Sequence, residues 1–589
     1  MWPRRPSPGP DTARKRPLRS LLHLAGPYWN CERRRKVRGA TLLLLLLTLA
    51  QVGLTVWGNY WNRALFDALE QRTVHGVFVQ VGVFALIFLI SIAVTAAHLM
   101  VKRWLQLDWR AWLTERLVGR WLDQGRHYRL QFSDGEHDNP DQRIAEDIRI
   151  ATETAIALAH TLVFSVLILA LFVDILWSVS GSIAVPGTEV EVPGYMVPLA
   201  FLYALVGGVI GWLIARPLVG ATNALQTAEA TFRFGLSRAR EHTEAIALMR
   251  AEPLERTGSE IRFRQLAHDW DRQSFAYLGL VSFSTAYGAL LPVFPILVAA
   301  PQYIAGAMTL GALMQAAQAF QRLTSALSWP IDSLGEIARC RASADRVLAL
   351  YEDMSRLDAP AGPSDGLRIM VGKSADGRLL FERLSITDPS GLLLLDEFDA
   401  SIAPGERVLV TGDSAVTGPL FKVLGGLWPW GRGHLSLPAG GGLMLVPQRP
   451  FLPEGTLRAA LCYPLDERSC SDPDIRHALD CAGLGWLAPR LDEKDNWEQV
   501  LPLQTQQRLG LARVVLKRPA WIVTEQATDA FDPDGERRMF DMLRRELPQA
   551  SLVTISLHTR LAEFHQRTLQ VNRVRDRRFV SEGLPAAAH

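Results

Sequence analysis

The sequence predicts a membrane all-α domain of six spanning helices, followed by an α/β domain of P-loop type. Three observations support this fold class. Long uncharged runs fill the first 345 residues, Arg-rich segments separate them, and a buried strand near residue 410 ends at a glycine that could open a phosphate-binding loop. At 589 residues, with 48% hydrophobic and 21% charged side chains, the chain is too long for one domain.

The uncharged runs set the number of spans. They cover 39–62, 76–101, 154–173, 192–215 and 274–321. A bilayer core takes about 20 apolar residues per helix. Four runs therefore fit one span each, and the fifth is long enough for two, with a turn near Pro301 and Gly306. The first run is too long for a cleaved signal peptide.

The distribution of Lys and Arg predicts the orientation. The tail at 1–38 is strongly basic, and 102–150 and 216–273 are rich in Arg, whereas 178–191 and 300–306 have no Lys or Arg. Because basic loops stay on the cytoplasmic side, we expect a multi-pass protein of the bacterial inner membrane with both termini in the cytoplasm. The tail is expected to contact anionic membrane lipid rather than nucleic acid.

Two polar features interrupt the predicted spans. Gln315, Gln318 and Arg322 begin a polar stripe that lines either a cavity or a helix–helix interface. Asp174 lies within an apolar stretch, as a proton site or near the outer membrane surface. The five cysteines form no CxxC pair, so we expect free thiols and no metal site.

Composition predicts four segments. A basic tail (1–38) precedes the membrane domain (39–345), a linker (346–370) contains a polar Pro- and Gly-bearing stretch, and a soluble domain covers 371–589. In the soluble domain, strands are predicted at 378–386 and 407–411. The second strand ends where a phosphate-binding loop would begin.

Several segments in the same order resemble ABC half-transporters of the YddA-like and SbmA/BacA-related branch, which are kin of the subfamily D half-transporters of peroxisomes and lysosomes. In the soluble half they are GGLWPWGRGHL at 425–435, VPQRPFLPEGTLRAALCYP at 446–464 and ATDAFD at 527–532. In the membrane half they include NYWNRALFDALEQR at 59–72 and DNPDQRIAEDIR at 138–149. The resemblance implies an ABC-exporter-type membrane domain joined to an ABC ATPase domain.

The resemblance also implies a nucleotide site, and this chain departs from its pattern. The implied nucleotide-binding positions are Gly412, Ser414, Gly418, Pro419, Leu420 and Gln448. Gly418 stands where the P-loop has its phosphate-binding Lys, and Pro419 stands where a Ser or Thr would bind Mg²⁺. Ala415 and Thr417 replace two glycines, and Asp413 adds a negative charge where phosphate would lie.

The implied catalytic and signature positions depart as well. Glu525 and Gln526 replace the Asp-Glu pair that holds Mg²⁺ and activates water, while His558 remains as the candidate switch histidine. The signature LSLGEQ becomes Leu501, Pro502, Leu503, Gln504, Thr505 and Gln506. ATP and Mg²⁺ are expected of the family, and these replacements argue against their productive binding here.

The implied function is a transporter subunit that moves a small molecule or peptide across the inner membrane by alternating access, with weak or absent ATP hydrolysis. It would pair with a second half-transporter as a homodimer or heterodimer, and coupling loops are expected near 134–150 and 235–255. One alternative is proton-coupled uptake, as in the SbmA/BacA relatives, with Asp67, Glu70 and Asp174 as proton sites. The others are a conventional ATP-driven transporter and a non-transporting regulatory subunit.

Overall fold

The computed structural model describes residues 26–132, 139–184, 191–358, 368–439 and 442–574. The chain divides into two units. A membrane unit comprises Met1–Leu122 and Glu136–Met354, and a soluble unit comprises Asp123–Gly135 and Ser355–His589. Residues 1–25 of the predicted basic tail lie outside the described residues.

The membrane unit is helical, apart from one short hairpin. Its helices are α1 (Arg34–Glu70), α2 (Val74–Leu122), α3 (Ile148–Ser180), α4 (Met196–Glu241), α5 (Thr243–Leu248), α6 (Glu252–Ile304), α7 (Leu310–Asp332) and α8 (Leu334–Asp358). Short turns at Pro140–Gln142 and Arg143–Asp147 precede α3, and β1 (Ser182–Ala184) pairs with β2 (Glu191–Pro193).

Five of these helical segments are long and apolar enough to cross a membrane, among the described residues. They contain α1, α2, α3, α4 and α6, and these hold the five uncharged runs. The fifth run divides as expected, because α6 ends at Ile304 and α7 begins at Leu310 after a left-handed Gly306. The sixth predicted span, α7, is a helix of 23 residues, but its Gln and Arg side chains keep it outside the five.

Helix α8 extends into the predicted linker, which begins at residue 346. Ala344, Val347, Leu350 and Met354 are buried along α8. Their spacing of three to four residues places them on one face of a helix, so packing continues the helix beyond the predicted boundary. The remainder of the linker up to residue 367 lies outside the described residues.

Within its described residues, the soluble unit is an α/β domain with two larger sheets and one short two-stranded antiparallel pair, Gly455–Thr456 with Lys494–Asp495. Its strands are β3 (Met370–Ser374), β4 (Leu379–Thr387), β5 (Leu393–Ile402), β6 (Arg407–Gly412), β7 (Gly431–Pro438), β8 (Leu443–Val446), β9 (Gly455–Thr456), β10 (Lys494–Asp495), β11 (Trp521–Glu525), β12 (Ser551–Ile555) and β13 (Arg567–Val571). A parallel sheet has the order β13-β6-β12-β11-β8, and a mixed sheet has the order β3-β7-β4-β5. The strands predicted at 378–386 and 407–411 are confirmed as β4 and β6.

Helices complete this unit. They are α9 (Ser414–Leu424), α10 (Leu457–Cys462), α11 (Asp472–Cys481), α12 (Trp497–Val500), α13 (Leu503–Lys517) and α14 (Pro533–Glu546), with a short helix at Arg126–Arg129. The chain segment around that short helix belongs to the soluble unit, where the Phe132 ring lies 4.9 Å from the Trp430 ring. The predicted fold class, an all-α membrane domain followed by an α/β domain, is confirmed.

Candidate functional site

The candidate site lies at one edge of the parallel sheet. Strand β6 ends at Gly412, β11 ends at Glu525, and β12 leads through Ser556 to His558. In a parallel sheet the carboxyl ends of the strands share one edge, which is where ligands of open α/β sheets bind. The sheet register places β6 and β11 on either side of β12.

Asp413 caps the start of α9, the helix end that the resemblance assigns to a nucleotide phosphate. Its carboxylate accepts a hydrogen bond from the Ala415 N–H at 2.9 Å, and its carbonyl accepts from the N–H groups of Val416 and Thr417 at 2.9 and 3.0 Å. In a phosphate-binding loop, successive backbone N–H groups point at the anion. Here the corresponding groups are used within the chain, and a full negative charge already lies at the positive end of α9.

Gly418 and Glu525 face each other across this site. A Cβ atom added at Gly418 would lie 3.5 Å from Glu525 Oε1. Pro419 lies inside α9 and has neither the N–H that would pair with the Ala415 carbonyl nor a hydroxyl for Mg²⁺. Ser414 is exposed, and Leu420 is buried in the core.

Lys422 is the nearest cation of α9, one turn beyond Gly418. Its ammonium lies 5.4 Å from the centre of the Trp428 ring. Burial raises the pKa of the half-buried Glu525, and the Lys422 charge opposes that rise. The charge of Lys422 therefore acts on Glu525, while the Lys422 ammonium group lies against the Trp428 ring.

The backbone of Gln526 has an unusual conformation and makes a hydrogen bond to the neighbouring strand. It adopts a left-handed conformation with φ 48°, and its N–H donates to the Ile555 carbonyl at 2.9 Å. A neutral amide cannot accept the proton of an attacking water as a carboxylate does. The candidate catalytic pair thus contains one carboxylate, Glu525, and no general base at the following position.

The predicted His558 and Gln448 converge on two acidic residues that the sequence analysis did not single out. Gln448 Nε2 lies 3.4 Å from Asp529 Oδ2, and His558 Nδ1 lies 3.4 Å from Glu536 Oε1. Glu536 is buried and also accepts a hydrogen bond from Arg560 at 2.7 Å. Burial raises the pKa of Asp529, and His558 opposes the rise.

The signature segment opens α13 without a side-chain cap. Leu501 is buried, and Pro502 occupies the N-cap position, where it has no side chain that can bind the following N–H groups. Leu503, Gln504, Thr505 and Gln506 form the first turn of the helix. Gln506 Nε2 donates to the carbonyls of Leu501 and Glu498 at 2.7 and 2.8 Å, so it braces the segment that precedes the helix.

Gln507 connects the separate parts of the site. Its buried amide donates to the carbonyls of Gln448 and Gln526 at 3.0 and 3.4 Å and accepts from the Ala530 N–H at 3.1 Å. The sequence shows only two consecutive glutamines here. Helical periodicity places Gln507 on the apolar face of α13, and this was the one pattern in the sequence that could have predicted its burial.

The polar stripe of α7 packs against α1. Gln315 is fully buried, and Asn59 Nδ2 donates to the Gln315 carbonyl at 3.2 Å and to Gln318 Oε1 at 2.9 Å. Arg63 reaches Gln315 Oε1 at 3.5 Å. These residues form a helix–helix contact in this structure.

Asp67 and Glu70 bind the start of α7. Glu70 accepts from the Leu310 N–H at 2.9 Å, and Asp67 accepts from the Gly311 N–H at 3.1 Å. Both acids therefore satisfy backbone N–H groups at the start of α7 and tie this helix to α1. Asp174 is exposed, two turns before the end of α3.

A histidine pair lies within the predicted spans and was not among the predicted proton sites. The rings of His98 and His160 have centroids 4.2 Å apart. Nε2 of His98 and both ring nitrogens of His160 are buried without a hydrogen-bond partner among the described residues. Unpaired polar atoms inside a membrane domain are costly, which makes them candidates for function.

The fold and the site together define a membrane domain joined to an ATP-binding-cassette domain. Comparisons with known proteins agree. The family model for ABC transporter transmembrane region 2 matches residues 25–300. The inner membrane ABC transporter ATP-binding protein YddA of Escherichia coli is 30% identical over 551 residues, which cover 92% of this chain and 95% of YddA.

Eukaryotic relatives match most of the chain as well. ABC transporter D family member 2, chloroplastic, of Arabidopsis thaliana is 26% identical over 641 residues, which cover 96% of this chain and 88% of the relative. The human lysosomal cobalamin transporter ABCD4 is 28% identical over 505 residues, which cover 79% and 80%. This chain therefore belongs to the ABC transporter family, as a multi-pass half-transporter of the subfamily D type that pairs with a second half-transporter.

Proposed function

We propose that this half-transporter moves a solute across the inner membrane by alternating access and hydrolyses ATP weakly or not at all. The observation that supports this most strongly is the Asp413 carboxylate, which caps α9 where a nucleotide phosphate would bind. A phosphate brought to this helix end would meet a negative charge and N–H groups that are already paired.

Replacements at two other positions of the candidate nucleotide site also support weak or absent ATP hydrolysis. Gly418 brings no ammonium to the phosphates, and Gln526 brings no general base, whose loss typically lowers a rate by about 10²–10⁴-fold. The rate losses caused by substitutions within one catalytic unit are not additive in free energy, so the losses expected at Gly418 and Gln526 cannot simply be multiplied. In the ABC family each ATP site combines one subunit's P-loop with the other's signature. A homodimer would thus have two altered sites, and a normal partner would restore neither.

The relatives give only a broad guide to the substrate. One relative is named as a cobalamin transporter, and the proposal for this chain is a small molecule or peptide. The proposed orientation places both termini and the soluble unit in the cytoplasm, because basic segments precede the first uncharged run and follow the second and the fourth.

The decisive experiment is Mg·ATP binding and hydrolysis by the purified dimer in detergent. The native chain is compared with Gly418→Lys/Pro419→Ser/Gln526→Glu, which returns the missing ammonium, hydroxyl and base. No binding and no turnover in the native chain are expected. Turnover near ~1–10³ s⁻¹, the ordinary enzyme range, would refute the proposal. A tight complex with another half-transporter and no transport would instead support the regulatory alternative.

A second candidate function, proton-coupled transport, is favoured by the His98–His160 pair. Its unpaired ring nitrogens can accept a proton, and the charged groups around it are Lys102 and, beyond that lysine, Glu336. Proton entry into proteoliposomes loaded with a pH-sensitive dye tests it. His98→Asn/His160→Asn is expected to abolish an ATP-independent proton flux. Asp174→Asn tests the acidic candidate separately and is expected to leave the flux unchanged. Equal flux in the histidine variant would rule this candidate out.

A further inference from the structure

Three metal-binding side chains meet where α11 and α14 of the soluble unit come together. His477 and Cys481 lie four residues apart on α11, and Glu546 is the last residue of α14. Their ligand atoms all lie within 4.8 Å of one another. The three residues are outside the nucleotide site described above.

The distances match those between ligands of one metal ion. His477 Nε2 lies 3.6 Å from Cys481 Sγ and 3.1 Å from Glu546 Oε2. With Zn–S near 2.3 Å and Zn–N and Zn–O near 2.0–2.2 Å, tetrahedral angles place S and N about 3.6 Å apart and N and O about 3.4 Å apart. These two distances differ from the tetrahedral values by at most about 0.3 Å.

The helix geometry explains why the ligands converge. Residues four apart lie one above the other on an α-helix, so His477 and Cys481 project from the same face of α11. The opposite face of α11 is held in the core by Ile475, Ala478 and Leu479. Glu546 reaches them because α14 ends beside that exposed face.

Charge and access also suit a metal ion. A thiolate and a carboxylate neutralise a divalent cation, and neutral imidazole supplies the third ligand. His477 is 52% exposed, so solvent can reach the three side chains.

We propose that His477 Nε2, Cys481 Sγ and the Glu546 carboxylate form a Zn²⁺ site whose fourth position is filled by water. A mixed N, S and O set selects a borderline-soft ion such as Zn²⁺ over Mg²⁺ or Ca²⁺, which take oxygen ligands. The sequence pattern alone contains only the His-x₃-Cys pair, because Glu546 is distant along the chain.

The bound ion would join two parts of the soluble unit. Helix α11 packs against α13, which begins at the signature segment, and α14 follows the ATDAFD segment. Binding of a ligand to the folded state alone stabilises that state. Zn²⁺ would therefore stabilise the contact between α11 and α14 independently of ATP.

The site is tested by titrating the full-length protein in detergent with Co²⁺ and then with Zn²⁺. The affinity tag used for purification must contain no histidine. We expect one Co²⁺ per chain, with a sulfur-to-cobalt charge-transfer band and tetrahedral visible bands that Zn²⁺ displaces. Cys481→Ser should abolish the charge-transfer band. His477→Asn should weaken binding at least ~10-fold, in the range typical for loss of supporting groups at a metal site.

Cys470→Ser is the matched control, because Cys470 is another partly buried free thiol of the same unit. It should bind Co²⁺ as the native chain does. The absence of stoichiometric binding by the native chain, or a charge-transfer band that persists in Cys481→Ser, would overturn the assignment. If Cys481→Ser fails to fold, the Co²⁺ affinity of His477→Asn tests the assignment instead. The His477 side chain is exposed and is not part of the core, so this variant is expected to fold.

Discussion

Helices α7 and α9 both begin with carboxylates bound to their first N–H groups, and the carboxylates come from different parts of the chain. At α7 they belong to Asp67 and Glu70 of α1, 244 and 240 residues away in sequence. At α9 the carboxylate belongs to Asp413, the residue directly before the helix. The first arrangement joins two helices, whereas the second is complete within one turn.

This difference explains what each helix end can do. The local cap of α9 satisfies the first N–H groups of the helix, so α9 does not need a ligand at this end. The distant cap of α7 depends on the close approach of α1. A Cβ atom at Gly311 would lie 2.3 Å from the Arg63 carbonyl oxygen and 2.3 Å from Asp67 Oδ1.

Gly311→Ala should have the largest effect of the substitutions that test this comparison. The added methyl group must push α1 and α7 apart, and overpacking of this kind costs about 1–3 kcal/mol. The thermal unfolding midpoint of the purified protein in detergent measures the loss.

Gly335→Ala is the matched control for that substitution. Gly335 is also the second residue of its helix, α8, and an added Cβ atom there meets nothing within 4 Å. Alanine is the better helix former, so a small gain in midpoint is expected. Equal midpoints for the two variants would show that the α1–α7 contact is not close in the working protein.

Asp67→Ala should have the next largest effect. It leaves the Gly311 N–H without its acceptor, at a cost of about 1–2 kcal/mol. Asp67→Asn keeps an acceptor and loses only the charge, which is worth about 0.3–1 kcal/mol near a helix end. The two unfolding midpoints separate hydrogen bonding from charge. An Asn variant as unstable as the Ala variant would mean that charge alone maintains the contact.

Asp413→Ala should cost about 1 kcal/mol, and Asp413→Gly only a few tenths, because glycine is tolerated at an N-cap. The more informative effect is on the ligand. Added to Gly418→Lys/Pro419→Ser, Asp413→Gly should increase Mg·ATP affinity by removing the competing carboxylate. Fluorescent-nucleotide titration of the double and triple variants measures this. Unchanged affinity would indicate that Asp413 does not block the phosphate position.

Gln526→Glu alone should have the smallest effect. The restored carboxylate has no correctly bound phosphate to act on, so hydrolysis by this single variant should stay at the native level. Phosphate release under saturating Mg·ATP measures the rate. A rise of about 10²-fold or more would show that the other parts of the site already work.

Local patterns predicted much of this structure and missed what depends on distant contacts. The uncharged runs predicted α1 to α4 and α6, because a bilayer requires each span to be apolar in its own sequence. The predicted linker (346–370) overlaps the end of α8, where the burial of Val347, Leu350 and Met354 depends on packing partners that a local pattern does not show. The role of Gln507 was missed for the same reason: its three hydrogen bonds reach residues up to 59 positions away.

The sequence by itself determined the two-domain architecture, the strand that leads to the candidate site, and the replacements at Gly418, Pro419 and Gln526, because each depends on residue type or short spacing. The tertiary structure decided which polar groups satisfy one another. Only folding places Asp67 at the start of α7, His98 beside His160, and Glu546 beside His477 and Cys481. Hydrogen bonds and metal ligands act over a few ångströms, and sequence separation does not reveal which residues come within that range.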